Sequence, residues 1–182
     1  NPARIRGPHW TMETARDITA LGGYFTLTLV TTAVCIFLAL IGKVVALRFI
    51  LISVLGGWFV SMGLKSIFER PRPDVVEHLS NVSSTSFPSG HSMMSAVVYL
   101  TMGALLSRFS PGRLLRLYCL GMAIFLTFIV GCSRVLMGVH YPTDVLAGWT
   151  AGLVWATLCW LAARRWQRTH PGSAEAEPAD PQ

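Results

Sequence analysis

The chain has 182 residues, of which 52% are hydrophobic and only 13% charged, with a formal net charge of +6. An ordinary soluble domain carries about 25% charged residues, so a conventional water-soluble fold is excluded and a membrane-embedded one is expected. The four cysteines, Cys35, Cys119, Cys132 and Cys159, all fall in apolar stretches without paired spacing. A thiol there behaves as a small hydrophobe, so neither a disulfide nor a cysteine metal site is expected.

Residues 1–23 mix charges with Trp10 and the pair Gly22-Gly23. Nothing in them resembles a signal peptide, and they are expected to form an interfacial arm. Five long stretches then follow with almost no charge: Tyr24–Gly42, Val44–Leu64, Ser92–Ser107, Leu117–Ser133 and Val145–Ala163. A spanning helix needs about 17–25 apolar residues, so the first, second and fifth qualify outright. The third and fourth are shorter and hold Ser, Thr or Gly. Beside the others they read as spans whose ends are covered by protein. Arg48 is the one charge inside a proposed span and lies near its end, where it can snorkel. Gly148 and Gly152 form a G-x-x-x-G in the last span, which permits close helix approach. The end of the chain, HPGSAEAEPADPQ, is rich in Pro, Ala and acid, a composition that predicts disorder. The expected plan is an arm over 1–23, an all-α transmembrane bundle over 24–166 and a disordered cytoplasmic tail over 167–182.

Short loops rich in Lys and Arg stay on the cytoplasmic side. One side collects Lys43, Arg48, Arg108, Arg113, Arg116, Arg164, Arg165 and Arg168; the other collects Arg4, Arg6, Arg16, Lys65, Arg70, Arg72 and Arg134. With Lys65, Arg72 and Arg134 set aside as candidate site residues, the contrast is eight against four. The C-terminus is then cytoplasmic and the candidate site lies on the outer face of a cytoplasmic membrane. Five spans put the N-terminus outside; a sixth span upstream of Asn1 would bring it back in.

Three segments at the outer tips of spans hold the unusual residues. They are KSIFERPRPD, with Lys65 and Arg72; PSGH, with Ser89, Gly90 and His91; and SRVLMGVHYPTD, with Arg134, His140 and Asp144. Lys65, Arg72 and Arg134 place three positive charges at one face, and a phosphate dianion is their natural partner. Ser89 and Gly90 precede a helix starting near His91, whose free N–H groups and dipole favour an anion. His140 and Asp144 are four residues apart, with Pro142 at a plausible first helical position. A carboxylate on one ring nitrogen leaves the other free to attack, which suits His140 as a nucleophile on phosphorus. His91 then protonates the leaving oxygen and later activates water.

Each feature has a bland reading too. A histidine at a helix end is often a cap, Arg-Pro-Arg-Pro is often a solvated loop, and Pro-Ser-Gly turns are commonplace. Together on one membrane face these readings are poor, because ordering charge there is costly. Three nearby cations and few carboxylates disfavour a divalent metal at His91, His140 and Asp144. Glu69, Asp74, Glu77 and His78 are read as solvated loop charges, and the sequon at Asn81 is left without a role.

The segments, K-x6-R-P, P-S-G-H and S-R-x5-H-x3-D, resemble the three-part signature of the type-2 phosphatidic acid phosphatase (PAP2) superfamily, in its membrane-integrated lipid phosphate phosphatase branch. They stand complete and in order across residues 65–144. The resemblance implies the helical core shared with the vanadium haloperoxidases and a metal-independent reaction without cofactor. It implies His140 as nucleophile, Asp144 as its orienting carboxylate and His91 as general acid. Lys65, Arg72, Ser89, Gly90 and Arg134 would hold the phosphoryl group. Membrane members usually have six spans, one more than this sequence shows. The expected partners are membrane lipids and a lipid phosphate, with no nucleic acid. Hydrolysis, transfer of the phosphoryl group to an acceptor, and non-catalytic binding or transport all need such a basic site. An intact His140–Asp144 pair favours the first two.

Overall fold

The protein is described by a computed structural model covering residues 9–68, 70–73 and 85–169. The described residues form six helices and no strand: α1 (His9–Leu21), α2 (Tyr24–Leu40), α3 (Val44–Ile67), α4 (Gly90–Phe109), α5 (Arg113–Leu136) and α6 (Pro142–Thr169). Five helical stretches are long and apolar enough to cross a membrane, the first running from Trp10 to Leu40 through α1 and α2. The all-α, five-span plan therefore holds. The tail beyond residue 169, the first eight residues, Glu69, Asp74, Glu77, His78 and Asn81 lie outside the described residues.

Helix α4 is the hub. Of its most apolar stretch 67% is buried, against 17–28% for the other four spans, because α3, α5 and α6 pack around it. Lipid offers no hydrophobic drive to helix pairing, so close approach depends on small residues. On α6 these are Gly148 and Gly152. A Cβ on Gly148 would lie 2.7 Å from the carbonyl oxygen of Ser89, and one on Gly152 would lie 2.6 Å from that of Met93. The G-x-x-x-G thus seats the first turns of α6 directly on those of α4, where the candidate site residues stand. Gly152→Val is expected to force the helices apart and to lower stability by about 1–3 kcal/mol. Thermal unfolding of the purified variant in detergent measures this, and an unchanged midpoint would contradict the packing.

Many large apolar side chains outside the core face outward. Phe25, Leu40, Leu114 and Leu136 are all strongly exposed, as expected where the surrounding solvent is lipid.

The segment expected as an interfacial arm is helical and packed. The break at Gly22-Gly23 turns α1 across the site end of α5, and Gly22 has no room for a side chain: its Cβ would meet Val130 Cγ1 at 2.3 Å. Tyr99 Oη donates to the Leu21 carbonyl at 2.7 Å, anchoring the end of α1 to α4.

Candidate active site

All three sequence segments meet at one end of the bundle. Helix α3 ends with Lys65 in its last turn, and the chain continues through Arg70 and Arg72. It returns at Thr85, whose hydroxyl donates to the Lys65 carbonyl at 3.3 Å, while the Ser86 amide donates to the Arg70 carbonyl at 2.8 Å. Helix α4 then starts at Gly90, capped by Ser89, whose hydroxyl accepts from the Ser92 amide at 3.4 Å. A Cβ on Gly90 would stand 3.1 Å from Tyr24 Oη and 3.6 Å from Lys65 Nζ. The bare glycine therefore opens the helix N-terminus to these two side chains. Next in the same turn, the His91 ring meets Tyr24 edge-on, with centroids 6.2 Å apart. Arg134, His140, Lys65 and Arg72 all lie within electrostatic reach of His91.

The Ser89 amide is not free for an anion: it donates to the Asp144 carbonyl at 3.0 Å. That bond ties the PSGH turn to the first turn of α6. It leaves Gly90 and His91 to present the first unpaired amides of α4, since the first four N–H groups of a helix have no intrahelical acceptor.

Helix α5 delivers Arg134 and then stops at a turn where Gly138 sits at φ 66°, a left-handed conformation that glycine adopts without strain. The turn drops His140 into the site, and Pro142 opens α6 at its first position. His140 is 4% exposed and Asp144 fully buried. Nδ1 of His140 lies 3.5 Å from Asp144 Oδ2 and 3.5 Å from Ser86 Oγ, which leaves Nε2 as the nitrogen that can meet a ligand. Asp144 is held on every side. Arg70 Nη1 donates to Oδ1 at 2.8 Å, the Tyr141 amide donates to Oδ2 at 3.0 Å, and the Ser86 hydroxyl also donates to Oδ2. A carboxylate with this many donors is locked in place.

Arg134 is 9% exposed. Its Nη1 donates to Thr19 Oγ1 at 2.9 Å, while its Nε is buried without an acceptor among the described residues. A buried donor of that kind is costly unless something accepts from it, and an anion is the fitting acceptor for a guanidinium.

Burial holds the His140 imidazole neutral, and the Arg134 and Arg72 guanidiniums act in the same sense. Together they lower its pKa from 6.5 to about 4 although Asp144 pulls the other way. The free protein should therefore keep the ring neutral until pH falls through that value. NMR titration of the imidazole in micelles should show a midpoint of about 4. An ordinary midpoint of about 6.5 would contradict the environment described.

The structure adds residues that the sequence reading did not single out. Arg70, counted only as one more cation, braces Asp144, donates to Thr143 Oγ1 at 2.8 Å and lies 4.2 Å over the Tyr141 ring. Ser86 bridges His140 and Asp144. Thr19 and Tyr24 bring the arm and the first span to the site. The only available hint was position: Ser86 lies just before the PSGH turn, and Arg70 two residues before Arg72.

Comparison with known proteins agrees with this architecture. The model of the PAP2 superfamily matches residues 45–168, and the chain belongs to that superfamily. It is 43% identical over 94 residues to phosphatidylglycerophosphatase B of Bacillus subtilis strain 168, covering 50% of this chain and 45% of that protein. It is 30% identical over 96 residues to decaprenylphosphoryl-5-phosphoribose phosphatase of Mycobacterium tuberculosis, covering 51% and 48%. The chain thus spans about half the length of the curated relatives it matches. The crystal structure of a transmembrane PAP2-type phosphatidylglycerolphosphate phosphatase from Bacillus subtilis superposes with a TM-score of 0.82 at 31% identity, covering 91% of this chain and 83% of that one. The protein is an integral membrane protein with several spans.

Proposed function

We propose that this protein is a lipid phosphatase that hydrolyses a phosphomonoester or diphosphate of a membrane lipid through a phosphohistidine. What carries the reading is the His140 ring, held by Asp144 at Nδ1 so that Nε2 can face a ligand, in one cluster with Arg134, whose buried Nε has no acceptor among the described residues. In the reaction, Nε2 of His140 attacks the terminal phosphorus and its bond to the leaving oxygen breaks, the ester oxygen of a monoester or the bridging oxygen of a diphosphate. His91 gives that oxygen its proton, releasing the lipid alcohol, or the lipid monophosphate when the substrate is a diphosphate. Water then attacks the phosphohistidine with His91 taking the proton, the N–P bond breaks, and inorganic phosphate leaves. Lys65, Arg72 and Arg134, with the amides at Gly90 and His91, stabilise charge on the non-bridging oxygens. Arg70 and Ser86 are positioning residues acting through Asp144.

The site stands at the end of the spans, so a headgroup can enter while its chains stay in the bilayer. The distribution of Lys and Arg supports placing this face outside the cytoplasmic membrane, with the C-terminus inside. The similarity to phosphatidylglycerophosphatase B and to decaprenylphosphoryl-5-phosphoribose phosphatase supports a lipid phosphate as substrate. Phosphate release from phosphatidic acid, phosphatidylglycerol phosphate and undecaprenyl diphosphate by the purified protein tests the proposal and ranks the substrates. Release is expected to persist in excess EDTA and to be inhibited by vanadate. Failure to release phosphate from any of the three, or activity restored only by a divalent metal, would overturn it.

A further inference from the structure

The end of the bundle away from the active site holds a second feature that the proposed reaction does not use. Helices α5 and α6 both pack extensively on α4 but only lightly on each other. An apolar seam of about 760 Å³ runs between them, walled by Ala96, Leu100, Ala104, Leu153 and Ala156 among others. Trp149 crosses it toward the site end. Its Nε1 donates to the Thr127 carbonyl at 3.1 Å and its ring stacks on Phe128 with centroids 5.5 Å apart. At the far end the seam reaches Arg108 and Trp160. These two also line a polar pocket of about 460 Å³, completed by Arg164, Gln167 and Arg168.

Among the described residues, the charges in that pocket are one-sided. Arg108 Nη2 donates to Gln167 Oε1 at 3.1 Å, joining the ends of α4 and α6, and the Arg164 guanidinium lies 5.1 Å over the Trp160 ring. Across residues 85–169 the one carboxylate side chain is Asp144, at the other end of α6. Three guanidiniums therefore converge with no carboxylate of their own helices to balance them. Arginine forks of this kind match phosphate oxygens, and a tryptophan beside them is the usual marker of the lipid–water interface.

We infer that the seam and the arginine pocket form one binding site for an anionic phospholipid of the leaflet opposite the active site. Its phosphate lies among Arg108, Arg164 and Arg168, and an acyl chain lies in the seam. The lengths agree. From Ala96 to Arg108 the α4 wall is about 18 Å long at 1.5 Å per residue, close to the depth of one leaflet, half of a hydrocarbon core of about 30 Å. The seam thus lies in the far leaflet, separate from a substrate bound at the other end. A free phosphate would use the arginines but gain nothing from the apolar wall. A zwitterionic lipid would gain the wall but bring a cation to the arginines.

Native mass spectrometry of the purified protein tests this, with dioleoylphosphatidylglycerol, dioleoylphosphatidylcholine and glycerol phosphate as probes. Phosphatidylglycerol is expected to be retained at concentrations where the other two are not. Joint replacement Arg164→Ala and Arg168→Ala should weaken its binding by about 25-fold, roughly fivefold for each arginine. Ala104→Phe, which narrows the seam without altering charge, should also weaken it. Equal retention of phosphatidylcholine, equal binding of glycerol phosphate, or unchanged affinity in the double arginine variant would overturn the inference. If the double variant does not fold, Ala104→Phe decides, and full retention of phosphatidylglycerol by it would overturn the inference as well.

Discussion

Replacing His140 by alanine is expected to lower kcat by roughly 10⁴–10⁶-fold, the range seen when a nucleophile is removed from a preorganised site. The fold should survive. The polar contacts of His140 among the described residues are long, 3.5 Å to Asp144 and to Ser86, and removing the ring leaves the bonds of Asp144 to Arg70, Ser86 and the Tyr141 amide in place. Because the ring is buried, a stability loss of about 1–3 kcal/mol should accompany the loss of turnover. The cationic cluster also stays, so the variant should still bind the lipid phosphate with little change in affinity. Turnover within tenfold of the unaltered protein would remove His140 from the reaction.

The second large effect is expected at Asp144. Asp144→Asn keeps the shape but offers an amide N–H where His140 Nδ1 and Ser86 now find an acceptor. The ring is then free to take the other tautomer, with its proton on Nε2, and can no longer attack. A loss of about 10⁴-fold in kcat is the expected scale for such a change of tautomer. Unlike the histidine change, this one also disturbs structure, because Asp144 is fully buried and accepts from two different elements besides its own turn. Arg70 would lose its charge partner at 2.8 Å, and removing one member of a buried pair costs about 3–5 kcal/mol, less here because Arg70 is 39% exposed. The informative reading is therefore the division between kcat and KM in protein confirmed to be folded. A fall in kcat with KM almost unchanged marks a positioning role. A rise in KM with kcat preserved would mean that Asp144 only shapes the binding site.

Much of this site can be read from the sequence because its residues cluster at the tips of apolar segments, where charge is conspicuous. Lys65, Arg72, His91, Arg134, His140 and Asp144 stand out on a chain with only 13% charged residues. Arg70 does not, because it belongs to the same run of cations as Arg72. Which of two arginines faces a carboxylate and which faces the ligand is decided by how residues 85–86 fold back against the chain. Ser86 and Thr19 are unremarkable residue types whose roles exist only through partners 58 and 115 positions away. Helix α1 was legible as an arm but not as a packed element. Its hold on the bundle comes from Gly22 against Val130 and from Tyr99 reaching Leu21, contacts that leave no periodic trace. Span ends also moved outward. The fourth apolar stretch begins only at Leu117 on the sequence, yet α5 begins at Arg113, because Arg113 and Arg116 lie at a helix end where long side chains reach polar surroundings.

The G-x-x-x-G shows how a weak sequence signal gains meaning from position. On the sequence Gly148 and Gly152 license only close packing of some helix pair. In the fold they bring α6 against the backbone of α4 at Ser89 and Met93, so the helix that carries Asp144 and the helix that begins at the PSGH turn are fixed together. Spacing between the proposed nucleophile and the helix N-terminus is thereby set by two glycines of the helix–helix contact.

Trapping a covalent intermediate tests the proposed nucleophile most directly. Purified protein is mixed with lipid substrate labelled in its phosphoryl group, quenched in alkali to preserve a phosphoramidate, and digested for peptide mapping. Label on the peptide containing His140, and its absence after His140→Ala, is the expected result. Label on another residue, or continued phosphate release with no labelled protein at any quench time, would contradict it.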